Sequence, residues 1–265
     1  MKEGRRESFF YPSPEARLYD LLWLHHLLVL LVDRGRIGLT ECRVKHSFSA
    51  MKILSNGIAV LDGDTHISKW VEDEGRLDHD LYALPIILEH IKEGDVVVDA
   101  GAFIGDHTIA YLEKVGSSGT VMAFEPNPAA FQCLVHNCPS VYAFNYGLCS
   151  HGGEAFLETC ENVGASSIGA SGEAIKLMCL DELMLERLDF IKLDVEGYEL
   201  KALKGGERLI DAYRPIMWIE MNEGALEKQG ASAREIFTFL LGYGYEIKSY
   251  PENGGPQYDI LCLPK

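Results

Sequence analysis

The sequence predicts an α/β fold, a three-layer sheet domain preceded by an extension of helix and short strands. Three observations carry this. From residue 95 onward, apolar runs of strand length alternate with helical segments. The 265-residue chain is 47% apolar, enough to fill one large core and too apolar for global disorder. The first such run, Asp95-Val-Val-Val-Asp99, leads directly into a glycine-containing turn, as a buried parallel strand does at the mouth of a sheet.

Residues 1–15 are polar, with Pro12 and Pro14, and read as a loose lead-in. Residues 19–33 read as a helix ended near Gly35. The apolar run 18–32 is interrupted by Asp20, His25 and His26, so it is too short and too polar for a membrane span. It starts late for a signal peptide and lacks a small-residue cleavage site after it. An amphipathic or buried helix is expected, with a helix lying on a membrane surface as the alternative. Residues 46–60 suggest short strands around the Asn56-Gly57 turn. Residues 67–70 are ambiguous, and 81–91 look helical with a possible kink at Pro85.

From there the sheet pattern runs on. Residues 101–105 form the turn, 107–114 a helix, 120–124 a strand, 128–137 a helix and 141–145 a strand. Residues 155–157 and 175–180 look like strands flanking a Gly/Ser-rich stretch, 164–172. A strand at 190–193, a helix at 199–204, a strand at 216–220 and a helix at 232–242 follow. Residues 245–249 and 259–263 close the chain as an antiparallel pair. The expected division is an extension over 1–92 and the sheet domain over 93–265.

A net charge of −16 argues against nonspecific nucleic-acid binding, because an acidic surface repels phosphate, though a local basic pocket stays possible. The seven cysteines are odd in number and form no C-x-x-C pair, which speaks against a disulfide framework or a zinc site. Most read as small core fillers, which suits a reducing cytoplasm.

The motif Val98-Asp99-Ala100-Gly101-Ala102-Phe103-Ile104-Gly105 places an acid at a strand end before a glycine turn. Glycines there let the backbone approach a ligand. Phe124-Glu125-Pro126-Asn127 closes the next strand, where an acid can accept hydrogen bonds from both ribose hydroxyls. A nucleoside over the strand ends is the expectation. S-adenosylmethionine fits better than NAD on three counts. The turn lacks the full G-x-G-x-x-G pattern, Asp99 would repel a pyrophosphate but attract an ammonium, and the closing antiparallel pair is usual among methyltransferases of this kind. No P-loop motif occurs.

The segments 96–108, 123–128, 190–199 (F-I-K-L-D-V-E-G-Y-E) and 218–221 (W-I-E-M) occur in the order seen in FkbM-type methyltransferases, which the chain resembles over about residues 60–250. The segment 64–80 also resembles the region before the first motif in some of those proteins, while the first 60 residues lie outside the resemblance. The resemblance implies a Rossmann-like class I methyltransferase sheet and methyl transfer to oxygen, often on a sugar or polyketide-like hydroxyl. It implies that Asp99, Gly101, Ala102, Phe103, Gly105 and Thr108 surround the methionine part of the cofactor. Glu125 would hold the ribose with Pro126 and Asn127 beside it, and Asp181 and Asp194 would lie near the cofactor or acceptor.

Methyl transfer to a hydroxyl needs an aligned acceptor and a proton acceptor. Lys192, Asp194 and Glu196 alternate and should point to one side of a strand end. Asp194 is the first candidate for base or acceptor anchor, Glu220 the second, and Glu196 the third. Each has a structural alternative, as helix cap or turn hydrogen-bond acceptor. His66, His79 and His107 could complete a lid, or be ordinary hydrogen-bonded residues. Asp106-His107 and Asp78-His79-Asp80 could recruit a divalent metal, but adjacent residues rarely chelate from one element, so no metal is expected. Residues 164–169 read as a loop at the acceptor mouth or a plain hairpin connection. Trp70 and Tyr198 could stack on a sugar or fill the core. The expected partner is a small-molecule or glycan acceptor, without nucleic acid or stable membrane insertion. N-methyl transfer and a silent methyltransferase-like scaffold remain as competitors. A dehydrogenase is disfavoured at the glycine turn.

Overall fold

The computed structural model describes residues 50–77, 80–251 and 257–265. The expected lead-in and the helix at 19–33 lie outside the described residues, as does His79. Phe48–Lys265 form one compact unit, so the boundary expected near residue 92 falls inside it. The reason is visible at Asn137, whose Nδ2 donates to both the Ala59 and Ile104 carbonyls at 2.8 Å, while its Oδ1 accepts from Ala59 N. One side chain thus ties the extension to the glycine turn.

The extension starts with a hairpin, β1 (Met51–Ile53) and β2 (Ala59–Leu61), closed around the expected Asn56-Gly57 turn. The ambiguous stretch is a helix, α1 (Ile67–Glu74), which Gly75 ends in a left-handed conformation. Helix α2 (Ala83–Glu89) has Pro85 in its first turn, where the missing N–H costs no intrahelical bond. The kink expected there has no physical cause.

Strand β3 (Val96–Ala100) feeds the glycine turn and α3 (Thr108–Val115). β4 (Thr120–Phe124) leads to α4 (Pro128–Asn137), whose first N–H groups are capped by the Asn127 side chain. β5 (Tyr142–Phe144) follows. Next come β6 (Gly147–Leu148), β7 (Gly153–Glu158), β8 (Ser167–Gly169) and β9 (Glu173–Met178), which form a separate four-stranded sheet in the order β6-β9-β7-β8. β10 (Phe190–Leu193), α5 (Glu199–Gly205), α6 (Glu207–Tyr213), β11 (Ile216–Asn222), α7 (Glu223–Lys228) and α8 (Ala233–Gly242) return to the main sheet. β12 (Tyr245–Pro251) and β13 (Gln257–Pro264) close it as the expected antiparallel pair.

The main sheet has the order β12-β13-β11-β10-β3-β4-β5, parallel from β5 to β11 and antiparallel at β13. Both faces are covered, which explains the unbroken apolar runs. Val98, Ile191, Leu193, Met217 and Ile219 fill one layer, and Val97, Phe190, Trp218 and Leu261 the other. The chain winds one way through β3, β4 and β5, then restarts on the other side of β3 at β10. Parallel sheets open a ligand crevice at such a reversal, outside the carboxyl ends of the strands.

Strands β6 and β8 and helices α6 and α7 go beyond the sequence expectation. Each is short, and α6 depends on a distant cap: Asp181 accepts from Arg208 N and Leu209 N at 2.9 and 3.0 Å. Among the described residues no helix is long and apolar enough to cross a membrane. Six described cysteines are free, and burial pushes the Cys133 and Cys138 thiols up to about 12, consistent with inert core filling.

Candidate active site

A cleft opens at the strand reversal, outside the carboxyl ends of the parallel strands. Its floor is Ala100, Gly101, Phe124 and Glu125 at the ends of β3 and β4, with Asp194 and Glu196 beyond β10. Its roof comes from the four-stranded sheet and its loops, chiefly Leu157, Val163, Gly164 and Ile168.

The glycine turn shapes the floor. Gly101 has φ +78°, and a Cβ there would lie 1.8 Å from the Asp194 carbonyl oxygen, so only glycine lets β3 and β10 end side by side. Gly105 serves another purpose. A Cβ there would lie 2.7 Å from Cys138 Sγ, so this glycine admits α4 and does not line the cleft. Phe103 lines the cleft with φ +46°, a costly conformation for a non-glycine residue. It turns its N–H to Glu125 Oε2 at 2.9 Å. Ala102 is buried behind the turn, against Ala123 and Leu134.

Glu125 is held from both sides, since Asn127 N donates to its Oε1 at 2.8 Å. Each carboxylate oxygen keeps a second lone pair for a ligand hydroxyl. Burial pushes its carboxyl up to about 7, against the pull of the two backbone N–H groups. Pro126 lines the cleft beside it, whereas Asn127 is the α4 cap.

Asp99 does not line the cleft. It is fully buried beneath it, where Oδ2 accepts from Thr108 Oγ1 at 2.6 Å and Oδ1 lies 3.9 Å from Lys192 Nζ. Asp99 and Thr108, expected around the methionine part, thus pair with each other below the floor, and Asp99 Oδ1 is left without a hydrogen-bond partner. Asp181, expected near the cofactor or acceptor, is the α6 cap and does not line the cleft.

Beyond β10 the carboxyls gather. Asp194, Glu196 and Glu220 each offer an oxygen within 4.8 Å of the others. The strict alternation expected for Lys192, Asp194 and Glu196 breaks after Leu193, where β10 ends, and Glu196 adopts φ +51°. The strained residue still lines the cleft. Burial, then Asp194 and Glu199, push the Glu196 carboxyl up to about 8. Glu220 stands just behind: Gln257 donates to its Oε1, Oε2 is buried without a hydrogen-bond partner, and burial with the Asp194 and Glu196 charges pushes it well up. Acidic oxygens this close need a cation or shared protons among them. Lys192 supplies the cation, with Nζ 3.1 Å from Asp194 Oδ2.

The histidines lie elsewhere. His66 is exposed beside Thr65, and His107 is buried between Asp80 and Tyr111, at 3.3 and 3.2 Å. Trp70 packs under Arg76 in the extension core, while Tyr198 does line the cleft, with Lys201 Nζ 3.8 Å from its ring centroid. The stretch 164–169 contributes Gly164, Ser166 and Ile168 to the roof.

Sequence reasoning missed Tyr146, Gly147 and Leu148, which follow β5 and line the cleft beside Pro126. Their position just past the third parallel strand was the available signal. It also missed Glu199, whose Oε1 accepts from Val195 N and Gly197 N and so closes the loop that presents Glu196. That role needs a tertiary turn and left no sequence mark.

The FkbM methyltransferase domain family matches residues 99–247. The hexuronic acid methyltransferase AglP of Haloferax volcanii is 34% identical over 150 residues, covering 52% of this chain and 61% of that protein. The methyltransferase sdnD of Sordaria araneosa is 26% identical over 163 residues, covering 44% of this chain and 62% of that protein. The chain thus spans under two thirds of the length of these relatives. A crystal structure of methyltransferase FkbM from Methylobacillus flagellatus aligns with a TM-score of 0.49 at 18% identity, covering 68% of this chain and 50% of that one.

Proposed function

The chain belongs to the FkbM methyltransferase family, and we propose that it moves the methyl group of S-adenosylmethionine to a hydroxyl of a sugar or another small molecule. The observation that carries this reading is Glu125. Its carboxyl is fixed by two backbone N–H groups at the strand reversal, faces an apolar wall of Pro126, Tyr146 and Leu148, and keeps lone pairs for a ribose. The cleft residues fit the cofactor: an acid for the diol, apolar groups beside it for the base, and Gly101 and Phe103 toward the acidic end for the amino-acid chain.

Bound S-adenosylmethionine would supply the methyl group together with its own leaving group and positive charge. The protein's part is to align the acceptor oxygen and take its proton. Glu196 suits the proton-accepting role best among the three candidate acids. It lines the cleft, and a carboxyl held at about 8 is a far stronger proton acceptor than an ordinary one. Glu220 backs it from β11, and Asp194 is engaged by Lys192. A uronic-acid sugar is the first acceptor to try, from the likeness to the Haloferax relative.

The test is turnover of radiolabelled S-adenosylmethionine against a panel of hydroxylated sugars, uronic acids and amines. Label transfer to a hydroxyl supports the reading. Transfer to amines alone would replace it with N-methylation, and saturable cofactor binding without transfer to any acceptor would favour a silent binding module.

A further inference from the structure

Three acids, Glu125, Asp194 and Glu196, line the cleft, and one buried cation lies beneath it. Lys192 is the only buried lysine or arginine among the described residues. Its ammonium group has three donors, and three elements meet it. Gly101 O of the glycine turn accepts at 3.3 Å, Asp194 Oδ2 beyond β10 accepts at 3.1 Å, and Asp99 Oδ1 at the end of β3 lies 3.9 Å away. The sequence motif placed Lys192 on the strand without giving it a role.

Geometry limits what this lysine can do. Its side chain is 8% exposed and Asp99 does not line the cleft, so the pair works from below the floor. Burial alone would push the ammonium group toward neutrality, but Asp194 and Asp99 outweigh it and hold the charge. Asp194 is thereby engaged on one oxygen, while Glu196, next to it on the cleft wall, makes no ion pair shorter than 4 Å among the described residues. Other charges face the cluster from every side: Asp106 after the turn, Glu125 just past β4, Glu199 on α5, Glu220 on β11 and Lys228 on α7. Lys228 is exposed, so Lys192 is the one buried lysine near them.

We propose that Lys192 is a positioning residue: it pins the Asp194 carboxylate and the Gly101 carbonyl together from beneath the cleft, and so leaves Glu196, not Asp194, as the carboxyl that receives the acceptor's proton. The last clause rests on the methyl-transfer reading. The electrostatic part does not, and it can be tested without turnover.

The experiment compares the full chain with its Lys192→Met and Lys192→Arg variants, free of ligand. The Glu196 carboxyl is followed by carbon-13 NMR between pH 5 and 10, with the signal assigned by Glu196→Gln. Removal of the buried cation should shift this titration upward by about one pH unit or more, and arginine should return part of the shift. Where acceptor turnover is available, the rising limb of kcat against pH should move by the same amount, with KM for S-adenosylmethionine moving less. A Glu196 titration unchanged in Lys192→Met would overturn the proposal and leave the lysine a purely structural ion-pair partner. If that variant fails to fold, Asp99→Asn with Lys192→Met removes the orphaned buried carboxylate, and the same shift is expected from it. Absence of turnover on every acceptor would count against methyl transfer alone, since the carboxyl titration reads Lys192 independently.

Discussion

The floor of the cleft and its roof differ in how they are held. The floor is built at strand ends, and its bonds run between neighbouring elements: Phe103 N to Glu125, Asn127 N to Glu125, Gly101 N to the Phe124 carbonyl. The roof hangs from distant tethers. Asp64 in the extension accepts from Val163 N at 3.0 Å, Thr65 N donates to Glu161 O, and Gln229 Nε2 after α7 donates to Ile168 O. A floor of this kind fixes chemistry. A roof of this kind can be loosened without unfolding what lies below.

The sharpest way to separate the two is the acid on the floor's rim. Glu196→Gln should lower turnover by about 10²–10⁴-fold, the range for loss of a general base, while leaving S-adenosylmethionine affinity nearly intact. Steady-state kinetics beside a direct binding measurement checks this, and equal loss in both would make Glu196 a cofactor ligand instead. Next in size is Glu125→Ala. Loss of its hydrogen bonds should weaken S-adenosylmethionine binding by about 1–3 kcal/mol, with smaller effect on kcat. A roof variant comes third. Asp64→Ala strips the acceptor from Val163 N and Ser68 N, whose bonds are 3.0 and 2.7 Å long. It should speed cofactor dissociation and leave kcat at saturation within about threefold, at a stability cost of about 1–2 kcal/mol. If stopped-flow release is unchanged, the roof is not tethered through Asp64 in any way that matters to binding.

The smallest effect is on stability against pH. Burial raises Glu125 to about 7, Glu196 to about 8 and Glu199 to about 7. Each keeps its proton in the folded chain over a range where the unfolded chain has released it. Their favourable contribution is therefore complete below the ordinary glutamate range near 4.5 and is lost as pH rises through about 7 to 8. The melting temperature should fall between pH 5 and 8, less steeply in Glu196→Gln. A flat profile would mean these carboxyls are ionised in the folded chain.

The same contrast explains how much could be read from the sequence. Strand runs, the glycine turn and the acid ending β4 are local patterns, so the parallel sheet, the closing antiparallel pair and the placement of Gly101, Phe103 and Glu125 at one cleft were legible. The roof was not. Val163 and Ile168 enter the cleft through pairing of β7 with β8 and through tethers from Asp64 and Gln229, far apart in the chain. Asp99 shows the limit within the floor itself. A strand-end acid reads as a ligand contact, but the Thr108 hydroxyl reaches it from the first turn of α3 and burial does the rest. Asp194 could be located and stood first among the candidate acids, but the place of Glu196 beside it comes from a backbone turn that alternation does not foresee.

The central claim is that this cleft is a methyl-donor site, and calorimetric titration of the full chain with S-adenosylmethionine, with NAD as control, tests it most directly. Saturable one-site binding of S-adenosylmethionine and none of NAD is the expected result. A folded sample that binds neither, or that binds NAD alone, would contradict it.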